Sequence, residues 1–347
     1  MSRLILVVGG TGAQGFAVVK ALLESNENFT IRVMSRQPDA KSVQEAFKNY
    51  PQVELVQGSF MDFDSVTRAL QGCYGAFINT SGFVASERDE LWASIRIFEI
   101  ANTIPTMRHF VYSSLDYFLQ MTNFNHKYAV HHANAKGRFH TYLQGMASPA
   151  HPSSKLSWSV LQTVGYNENL MGGPCVPQID ADGTRVFKFP LGEGRMPWIT
   201  LSDVGAFALK IFQDREYWSG KFLNGVSHFV TGTEMAETLS RVAGVSARYE
   251  PVSYDEWVLQ LPFRDFPVAQ DDPDGIKHKD NFRMWWPCWE DGLVEDYRSV
   301  AELKAIHPGL QSFEDWVRET GWDGTAKPFM KQLMDAGLTA EIYQPRA

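Results

Sequence analysis

The amino-acid sequence predicts an α/β protein built on a doubly wound, mainly parallel sheet. Two observations lead to this prediction. The chain opens with an apolar strand that runs into a glycine-rich turn and a helix, and five strand segments alternate with helical ones before residue 115. This alternation is typical of a parallel sheet with helices on both faces. Right-handed crossovers would place the connecting loops at the carboxyl edge, where a Rossmann sheet of this kind binds its ligands.

The first unit carries its glycines at a fixed spacing. Residues 4–8 form the strand, Gly9, Gly12 and Gly15 occupy every third position, and residues 16–23 continue the helix. The first glycine allows a sharp turn, the second lets a pyrophosphate approach the backbone, and the third lets the helix pack closely on the sheet. The unpaired N–H groups at the helix start would hold the phosphates, although a purely structural turn can carry the same glycines. The candidate cofactor-binding residues of this unit are Gly9, Thr11, Gly12, Ala13, Gln14 and Gly15.

The end of the second strand predicts which dinucleotide is bound. This strand covers residues 29–34, and Ser35 and Arg36 follow it where an NAD-binding protein of this fold carries an Asp or Glu. A hydroxyl and a guanidinium match a 2′-phosphate, so the sequence favours NADP(H), with Lys41 close enough to assist. The alternative is that Arg36 is only a solvated loop charge.

The loop after the third strand offers two further candidates. The strand covers residues 53–57, and Phe60 and Asp62 follow it before a helix at 63–70. Both side chains would flank an adenine ring, the first at its face and the second at its amino group. Equally, Asp62 would only cap the helix.

The fourth and fifth strands end in hydroxyl groups. The fourth covers residues 75–80, and Thr80 and Ser81 would cross under the pyrophosphate and the nicotinamide ribose. After a long helix, the fifth covers residues 108–112 and ends at Ser113 and its neighbour Ser114. Both ends lie at the carboxyl edge of the predicted sheet.

Candidate chemistry follows in the segment 128–137. His132 and Lys136 are four residues apart and therefore share one face of a helix. After a sixth strand at 156–162, the next loop carries Tyr166 and Asn169, which are expected close to the nicotinamide.

The later half is predicted to hold shorter elements. Residues 261–280 are rich in Pro and Asp and indicate a long loop or lid, and the aromatic run 282–289 indicates the wall of a packed cap rather than an exposed patch. The further predicted elements are a strand at 197–199, a helix at 204–213 with Ser202 or Asp203 as N-cap, a helix at 233–242, and a largely helical end over 312–338 with Ser312 as N-cap and a break at 321–324.

Composition narrows the classes of function. The net charge of −8 and the lack of a dense Lys/Arg block argue against direct nucleic-acid binding. Three widely separated cysteines, Cys73, Cys175 and Cys288, lack metal-ligand spacing and are expected to be reduced thiols. We therefore expect no metal site. We also expect a cytoplasmic protein, because the start has no signal-peptide pattern and no apolar run has membrane-spanning length.

Several motifs together resemble one family. They are Gly9-xx-Gly12-xx-Gly15, Ser35-Arg36, Phe77-Ile78-Asn79-Thr80, Tyr112-Ser113-Ser114, His132-xxx-Lys136, Tyr166-Asn167-Glu168-Asn169-Leu170, Pro197-Trp198-Ile199 with Asp203-Val204-Gly205, and Phe313-Glu314-Asp315-Trp316. From about residue 4 to 320 the chain resembles the NmrA-like family of atypical short-chain dehydrogenase/reductases. The resemblance implies an NAD(P)-binding Rossmann domain at 1–165, to which segments near 195–225 return. It also implies a smaller mixed α/β substrate-side domain at 166–347, with the C-terminal helices, and a cleft between the two.

One position departs from the wider superfamily. Typical members use Tyr and Lys spaced Y-x-x-x-K for proton transfer, whereas this sequence has His132 at the Tyr position and keeps Lys136. The resemblance implies that Lys136 holds the ribose and polarises or protonates the substrate. It also implies that Ser113 or Ser114 and Tyr166 orient the substrate. An imidazole near neutral pH could act as acid or relay. The alternative is that Lys136 only binds the ribose and His132 is structural.

Three functions are consistent with the resemblance. The first is an NADPH-dependent oxidoreductase that reduces a C=O, C=C or C=N bond of a hydrophobic or aromatic metabolite, as in natural-product biosynthesis. The second is an NADP-binding redox sensor that acts through a protein partner without turnover. The third is a non-redox isomerisation or cyclisation with the nucleotide as a structural part. An open aromatic cleft would favour the enzyme, and a cleft filled by the protein's own side chains would favour the sensor.

Overall fold

The computed structural model describes residues 2–149 and 155–327 of the 347-residue chain. Its strands are β1 (Arg3–Val8), β2 (Phe29–Ser35), β3 (Glu54–Gln57), β4 (Gly75–Ile78), β5 (His109–Ser114), β6 (Ser157–Gln162), β7 (Gly165–Tyr166), β8 (Gln178–Ile179), β9 (Arg185–Phe189), β10 (Met196–Ile199), β11 (Phe222–Asn224), β12 (His228–Val230) and β13 (Ala247–Pro251). Its α-helices are α1 (Ala13–Glu24), α2 (Lys41–Phe47), α3 (Phe63–Leu70), α4 (Glu87–Thr103), α5 (Phe118–Met121), α6 (His131–Gln144), α7 (Asn169–Gly172), α8 (Leu201–Gln213), α9 (Arg215–Trp218), α10 (Gly232–Ala243), α11 (Tyr254–Val258), α12 (His278–Glu290), α13 (Val300–Ile306) and α14 (Phe313–Thr320).

Seven strands form the central sheet in the order β11-β6-β5-β4-β1-β2-β3. Every neighbouring pair is parallel. The chain runs outward from β1 to β3, returns to β4 beside β1, and continues to the other edge. This order confirms the predicted doubly wound parallel sheet, and it brings the carboxyl ends of β1 and β4 together where the order reverses.

Two apolar layers cover the faces of this sheet. On one face Val18 of α1 and Phe207 of α8 pack against strand residues such as Val7. On the other face, residues of α3, α4 and α6, including Ile97 and Phe139, pack against the strands. Strands buried on both faces are apolar almost throughout, which is the pattern that identified them in the sequence.

The later chain builds two small mixed sheets and a third core. One sheet has the order β12-β10-β7 and the other β13-β9-β8, and each combines a parallel with an antiparallel pair. The aromatic run in α12 lies in the third core, as predicted for the wall of a packed cap. The tryptophans of this core are Trp198, Trp257, Trp285, Trp286, Trp289, Trp316 and Trp322.

The predicted long loop is present but lies two to three residues earlier than expected. Turns fill residues 259–277, and α12 starts at His278. An isolated bridge joins Pro267 to Lys277. Backbone N–H groups of Gln270 and Asp271 donate to the carbonyls of Phe83 and Val84 over 3.2 Å each. We call residues 259–277 the strap, because these bonds tie it across the loop that follows β4.

Helix caps were predicted with mixed success. Ser312 caps α14 in a capping box and Gly321 ends that helix, as predicted. The prediction of Ser202 or Asp203 as N-cap of α8 was wrong, because Thr200 is the cap and its Oγ1 accepts the N–H of Asp203 over 3.1 Å. The predicted and observed caps differ because α8 begins at Leu201, earlier than its apolar periodicity suggested.

Helix α8 packs on α1, and β11 pairs with β6 at the edge of the central sheet. The division into domains at 1–165 and 166–347 stays a prediction. The part of the predicted C-terminal helix beyond residue 327 lies outside the described residues. Within the described ranges, no helix has the length and apolar character needed to cross a membrane.

Candidate functional site

The glycine turn after β1 has the geometry of a phosphate cradle. Gly9 adopts a φ of +79°, and its carbonyl accepts the N–H of Gly12 over 3.0 Å. A Cβ on Gly15 would lie only 2.3 Å from the Gly9 carbonyl oxygen. Helix α1 starts at Ala13 without a side-chain cap. The uncapped N–H groups at this helix start are therefore available to an anion.

The end of β2 lies beside this cradle, because β1 and β2 are paired up to Val8 and Met34. Ser35 is buried, and its Oγ accepts the N–H of Gln37 over 3.2 Å. Arg36 is exposed. Within residues 2–149 and 155–327, no carboxylate lies within 4.0 Å of its guanidinium, which leaves the fork of donors open to a ligand.

Asp62 has a structural partner at the start of α3. Its Oδ1 accepts the N–H groups of Asp64 and Ser65 over 3.2 and 3.3 Å. The capping alternative is thus the one seen, and an adenine contact of Asp62 stays a prediction. Phe60 is half-buried and packs against the core beneath the sheet.

A polar bridge links the cradle to the end of β5. Ser113 Oγ donates to Gln14 Oε1 over 2.8 Å, and both side chains are buried. Gln14 Nε2 has no hydrogen-bond partner among the described residues. A buried amide donor without a partner costs about 1–3 kcal/mol, so this position favours a ligand acceptor.

Lys136 lies on α6 directly beside this bridge. Its Nζ donates to the Thr80 carbonyl over 2.8 Å, to Thr80 Oγ1 over 3.2 Å and to the Ser113 carbonyl over 3.5 Å. The lysine therefore joins the ends of β4 and β5. Ser81, the next residue along the β4 loop, is half-buried and accepts the N–H of Phe83 at its Oγ over 3.4 Å.

A carboxylate that the sequence analysis did not identify sits next to this lysine. Glu90 Oε1 lies 3.3 Å from Lys136 Nζ, and Glu90 is 0% exposed. Burial lowers the pKa of Lys136, while the nearby Glu90 carboxylate opposes that shift. The Tyr112 hydroxyl hydrogen-bonds Thr80 Oγ1 over 3.2 Å and Ser94 Oγ over 3.1 Å, and burial raises the pKa of this phenol.

His132 contacts Asn281 on α12 rather than Lys136. Its Nδ1 lies 2.8 Å from Asn281 Nδ2 on α12, and its ring stacks on Phe83 with centroids 5.1 Å apart. Burial lowers the pKa of His132 to about 4. A neutral ring at pH 7 does not favour the acid role expected of it.

Tyr166 and Asn169 lie apart from this group. Tyr166 packs into the core on the α1 and α8 face, and burial strongly raises the pKa of its phenol. Asn169 begins α7, where its carbonyl accepts the N–H of Gly173 over 2.9 Å. Among the described residues, no hydrogen bond or ring contact joins either of them to Lys136 or His132.

Both missed residues left a signal in the sequence. On α4, Glu90 falls in register with the buried Ser94, Ile97 and Ala101, so helical periodicity places a carboxylate on an apolar face. On α12, Asn281 falls in register with the buried Trp285 and Cys288. The partner of Asn281 could not be identified, because it lies 149 residues earlier in the chain.

Two surface cavities lie elsewhere. One of about 410 Å³ is bordered by Tyr217, Asn224 and Tyr297, and one of about 290 Å³ by Tyr254 and Trp286. Neither includes a residue of the group around Lys136. The polar contacts at the sheet edge define the candidate site.

Comparison with known proteins adds relatives to this geometry. The chain is 27% identical over 338 residues to the NmrA-like family domain-containing oxidoreductase malD of Malbranchea aurantiaca, covering 91% of this chain and 96% of that protein. Its fold is similar to that of Nmra, a negative transcriptional regulator solved in complex with NAD, at 19% identity, a TM-score of 0.72 and 98% and 99% coverage of the two chains. It is also similar to the NADPH-dependent quinone oxidoreductase QOR2 of Escherichia coli complexed with NADPH, at 18% identity, a TM-score of 0.67 and coverage of 92% and 100%.

The family assignment rests on sequence as well as fold. The sequence model described as the NmrA-like family matches residues 1–272, which is most of the chain. This range includes the glycine turn, Arg36 and the His132 and Lys136 helix. The chain belongs to the NmrA-like family.

Proposed function

We propose that the protein is an NADPH-dependent oxidoreductase that reduces a C=O, C=C or C=N bond of a hydrophobic or aromatic metabolite. One observation carries the proposal: an unbroken line of contacts runs from the glycine cradle through Gln14 and Ser113 to Lys136. A dinucleotide laid along this line would place its phosphates on α1 and its nicotinamide ribose at Lys136. The relatives named as oxidoreductases support the same class of reaction.

The residues at the cradle fit such a cofactor. A Cβ on Gly12 would lie 3.3 Å from the Gly9 carbonyl oxygen, so a side chain at this position would crowd the turn that is expected to hold the pyrophosphate. The unpartnered Nε2 of Gln14 supplies a buried donor at the same place. Ser35 and the open guanidinium of Arg36 would receive the 2′-phosphate, which favours NADP(H) over NAD(H).

The chain's own residues would then orient the cofactor and polarise the substrate bond that is reduced. Bound NADPH supplies the hydride. The Lys136 ammonium would exchange part of its bonding to Thr80 for the ribose hydroxyls, and it would keep a proton for the substrate atom that gains electrons. Ser113 holds Gln14 in place, and Glu90 balances the lysine charge. Phe83, His278 and Phe282 supply aromatic surface around His132, one helical turn before Lys136, and such a surface suits an apolar substrate.

Calorimetric titration with NADPH, NADP, NADH and NAD tests the cofactor. We expect the 2′-phosphorylated pair to bind at least about tenfold tighter, since a charge-assisted pair contributes about 1.4 kcal/mol or more. Arg36→Ala should remove this preference, whereas Arg68→Ala, at an exposed guanidinium on α3, should keep it. Lys136→Ala should then abolish turnover of carbonyl and enone compounds. Equal affinity for all four nucleotides, or full activity of the Lys136 variant, would contradict the proposal.

A second candidate has its own observation. The Phe83 ring stacks on His132 and on His278, with centroids 5.1 and 5.8 Å apart, and the strap covers the same loop. A cleft occupied by the protein's own side chains suits a redox sensor without turnover, and one structural neighbour, Nmra, is a negative transcriptional regulator. Nucleotide binding without turnover of any apolar carbonyl, enone or imine, together with capture of a protein partner that depends on the nucleotide's redox state, would favour this candidate.

A further inference from the structure

Asn281 bonds to two consecutive residues at the start of α6. Its Oδ1 accepts the backbone N–H of His131 over 3.0 Å, and its Nδ2 lies 2.8 Å from His132 Nδ1. The backbone N–H can only donate, so the amide oxygen must face it and the amide NH₂ must face the imidazole. Asn281 is 0% exposed, which removes water as an alternative partner.

This arrangement decides where the imidazole proton resides. Since the amide donates to Nδ1, Nδ1 must carry a lone pair, and the single ring proton must be on Nε2. No described residue accepts a hydrogen bond from Nε2, and this nitrogen is not sealed from solvent. The ring therefore presents one N–H without an acceptor among the described residues, and it does so at the sequence position where the wider superfamily carries a tyrosine.

We propose that His132 is a neutral hydrogen-bond donor to the substrate and that Asn281 is the positioning residue that keeps the proton on Nε2. The part about the substrate rests on the proposed reductase function, whereas the part about the tautomer does not. Because Asn281 lies on α12 and His132 on α6, the donor is oriented only while α12 is packed against the start of α6.

A fixed neutral donor selects a class of substrate. It suits a C=O or C=N bond, or a C=C bond conjugated with one, because charge develops there on an oxygen or nitrogen. Hydride adds to carbon, the electron pair of the double bond moves to the acceptor atom, and the Lys136 ammonium supplies the proton and regains one from water. His132 gives up no proton. Neutral imidazole acts in this way in triosephosphate isomerase, a known case of the same electrostatic principle.

The groups around His132 allow a neutral ring. On α6 it faces His131 and Lys136, and from α12 it faces His278. Glu87 on α4 lies 3.8 Å from His131 Nδ1, and the buried Glu90 lies behind Gly82. Glu87 pairs with Arg138 and Glu90 with Lys136, so neither carboxylate pairs with His132, and burial lowers the pKa of His132 to about 4.

Nitrogen NMR of the whole protein labelled at histidine tests the tautomer directly. The His132 signals are assigned by their loss in His132→Gln. We expect the Nε2–H pattern without titration from about pH 5.5 to about pH 9, given the low pKa of this ring. A ring that titrates near its ordinary pKa, or one protonated on Nδ1, would overturn the proposal even if no variant is made.

Asn281→Asp tests the positioning role. The new carboxylate accepts where the amide donated, so Nδ1 must take a proton, and we expect the His132 titration to move upward by about two pH units or more. Asn125→Asp, which makes the same charge change at an exposed cap, should leave the His132 signals unchanged. An unshifted His132 in a folded Asn281→Asp protein would refute the role of Asn281.

Kinetics test the donor role once a substrate is found. His132→Phe should lower kcat about tenfold to a hundredfold, since it removes one donor to the developing charge. His132→Gln, which keeps a neutral N–H, should recover most of that loss with an unchanged pH profile. Full kcat in His132→Phe would refute the donor role. A confirmed Nε2–H tautomer in a protein that turns nothing over would instead contradict the proposed function.

Discussion

Lys136 and Glu90 form an ion pair that is almost closed to water, with 3.3 Å between Nζ and Oε1 and side chains that are 7% and 0% exposed. Neither Glu90 oxygen receives a well-aligned hydrogen bond from the described residues. The attraction between the two charges must therefore offset most of the cost of burying them.

We expect Glu90→Gln to destabilise the fold by about 3 kcal/mol, because it leaves the Lys136 charge buried without its counter-charge. Urea denaturation measures this change as a lower midpoint. The matched control is Glu24→Gln, since Glu24 pairs with Lys20 at the surface over 4.0 Å and should contribute less than about 1 kcal/mol. Equal midpoints for both variants would show that the buried pair adds nothing to stability.

Substitutions at two glycines of the cradle should distinguish an effect on folding from an effect on nucleotide binding. Gly15→Ala should unfold or severely destabilise the protein, because its Cβ would lie 2.3 Å from the backbone oxygen of Gly9. Gly12→Ala meets the same oxygen at 3.3 Å, so its midpoint should fall by only about 1 kcal/mol. Its added methyl would nevertheless occupy the phosphate approach.

Calorimetry on Gly12→Ala should therefore show nucleotide affinity reduced about tenfold or more in a folded protein, while thermal denaturation reports the small stability change. Gly72→Ala offers a comparison at an open surface turn, where no atom lies within 4 Å and only backbone strain is added. Unchanged nucleotide affinity in Gly12→Ala would place the phosphates elsewhere.

The sequence predicted the central sheet well because local chemistry specifies it. Apolar strands such as Leu4–Val8, the glycine spacing and the helical spacing of His132 and Lys136 are all readable within about fifteen residues. Partners across the fold were not predictable in this way. Asn281 reaches His132 only because α12 packs over α6, and no pattern near residue 281 reveals that contact.

The orientation of Tyr166 was hard to predict for the same reason. Its ring is partly buried against the core on the α1 and α8 face, and its place beside the nicotinamide stays a prediction. The strand that carries it, β7, has two residues, and which face it presents depends on its pairing with β10. Such a short strand has too few residues for alternation to identify its buried face.

Buried histidines predict acid sensitivity. Burial lowers the pKa of His140 to about 4, from the ordinary value of 6.5. Between these values the unfolded chain binds a proton that the folded chain excludes, so stability falls as pH decreases from about 6.5 to about 4. The full effect of one such ring is about 3 kcal/mol.

We expect His140→Gln to flatten the fall of Tm with decreasing pH in that window, whatever its effect at pH 7. Thermal denaturation at several pH values measures the slope. His126→Gln, at an exposed ring, should leave the slope unchanged. If both variants keep the wild-type slope, His140 does not contribute to the acid sensitivity.

The strap is held to the loop after β4 by a bond that can be removed singly. Asp271 Oδ1 accepts the backbone N–H of Ser86 over 2.7 Å, whereas Asp274 lies exposed on the same strap. We expect Asp271→Ala to increase hydrogen exchange across residues 259–277 about fivefold, since a charge-assisted bond contributes about 1.5 kcal/mol or slightly less at the surface. Asp274→Ala should leave the exchange unchanged. If the strap covers the candidate site, Asp271→Ala should also speed the entry of nucleotide or substrate. Equal hydrogen exchange in both variants would show that the backbone bonds to Phe83 and Val84 are enough to hold the strap in place.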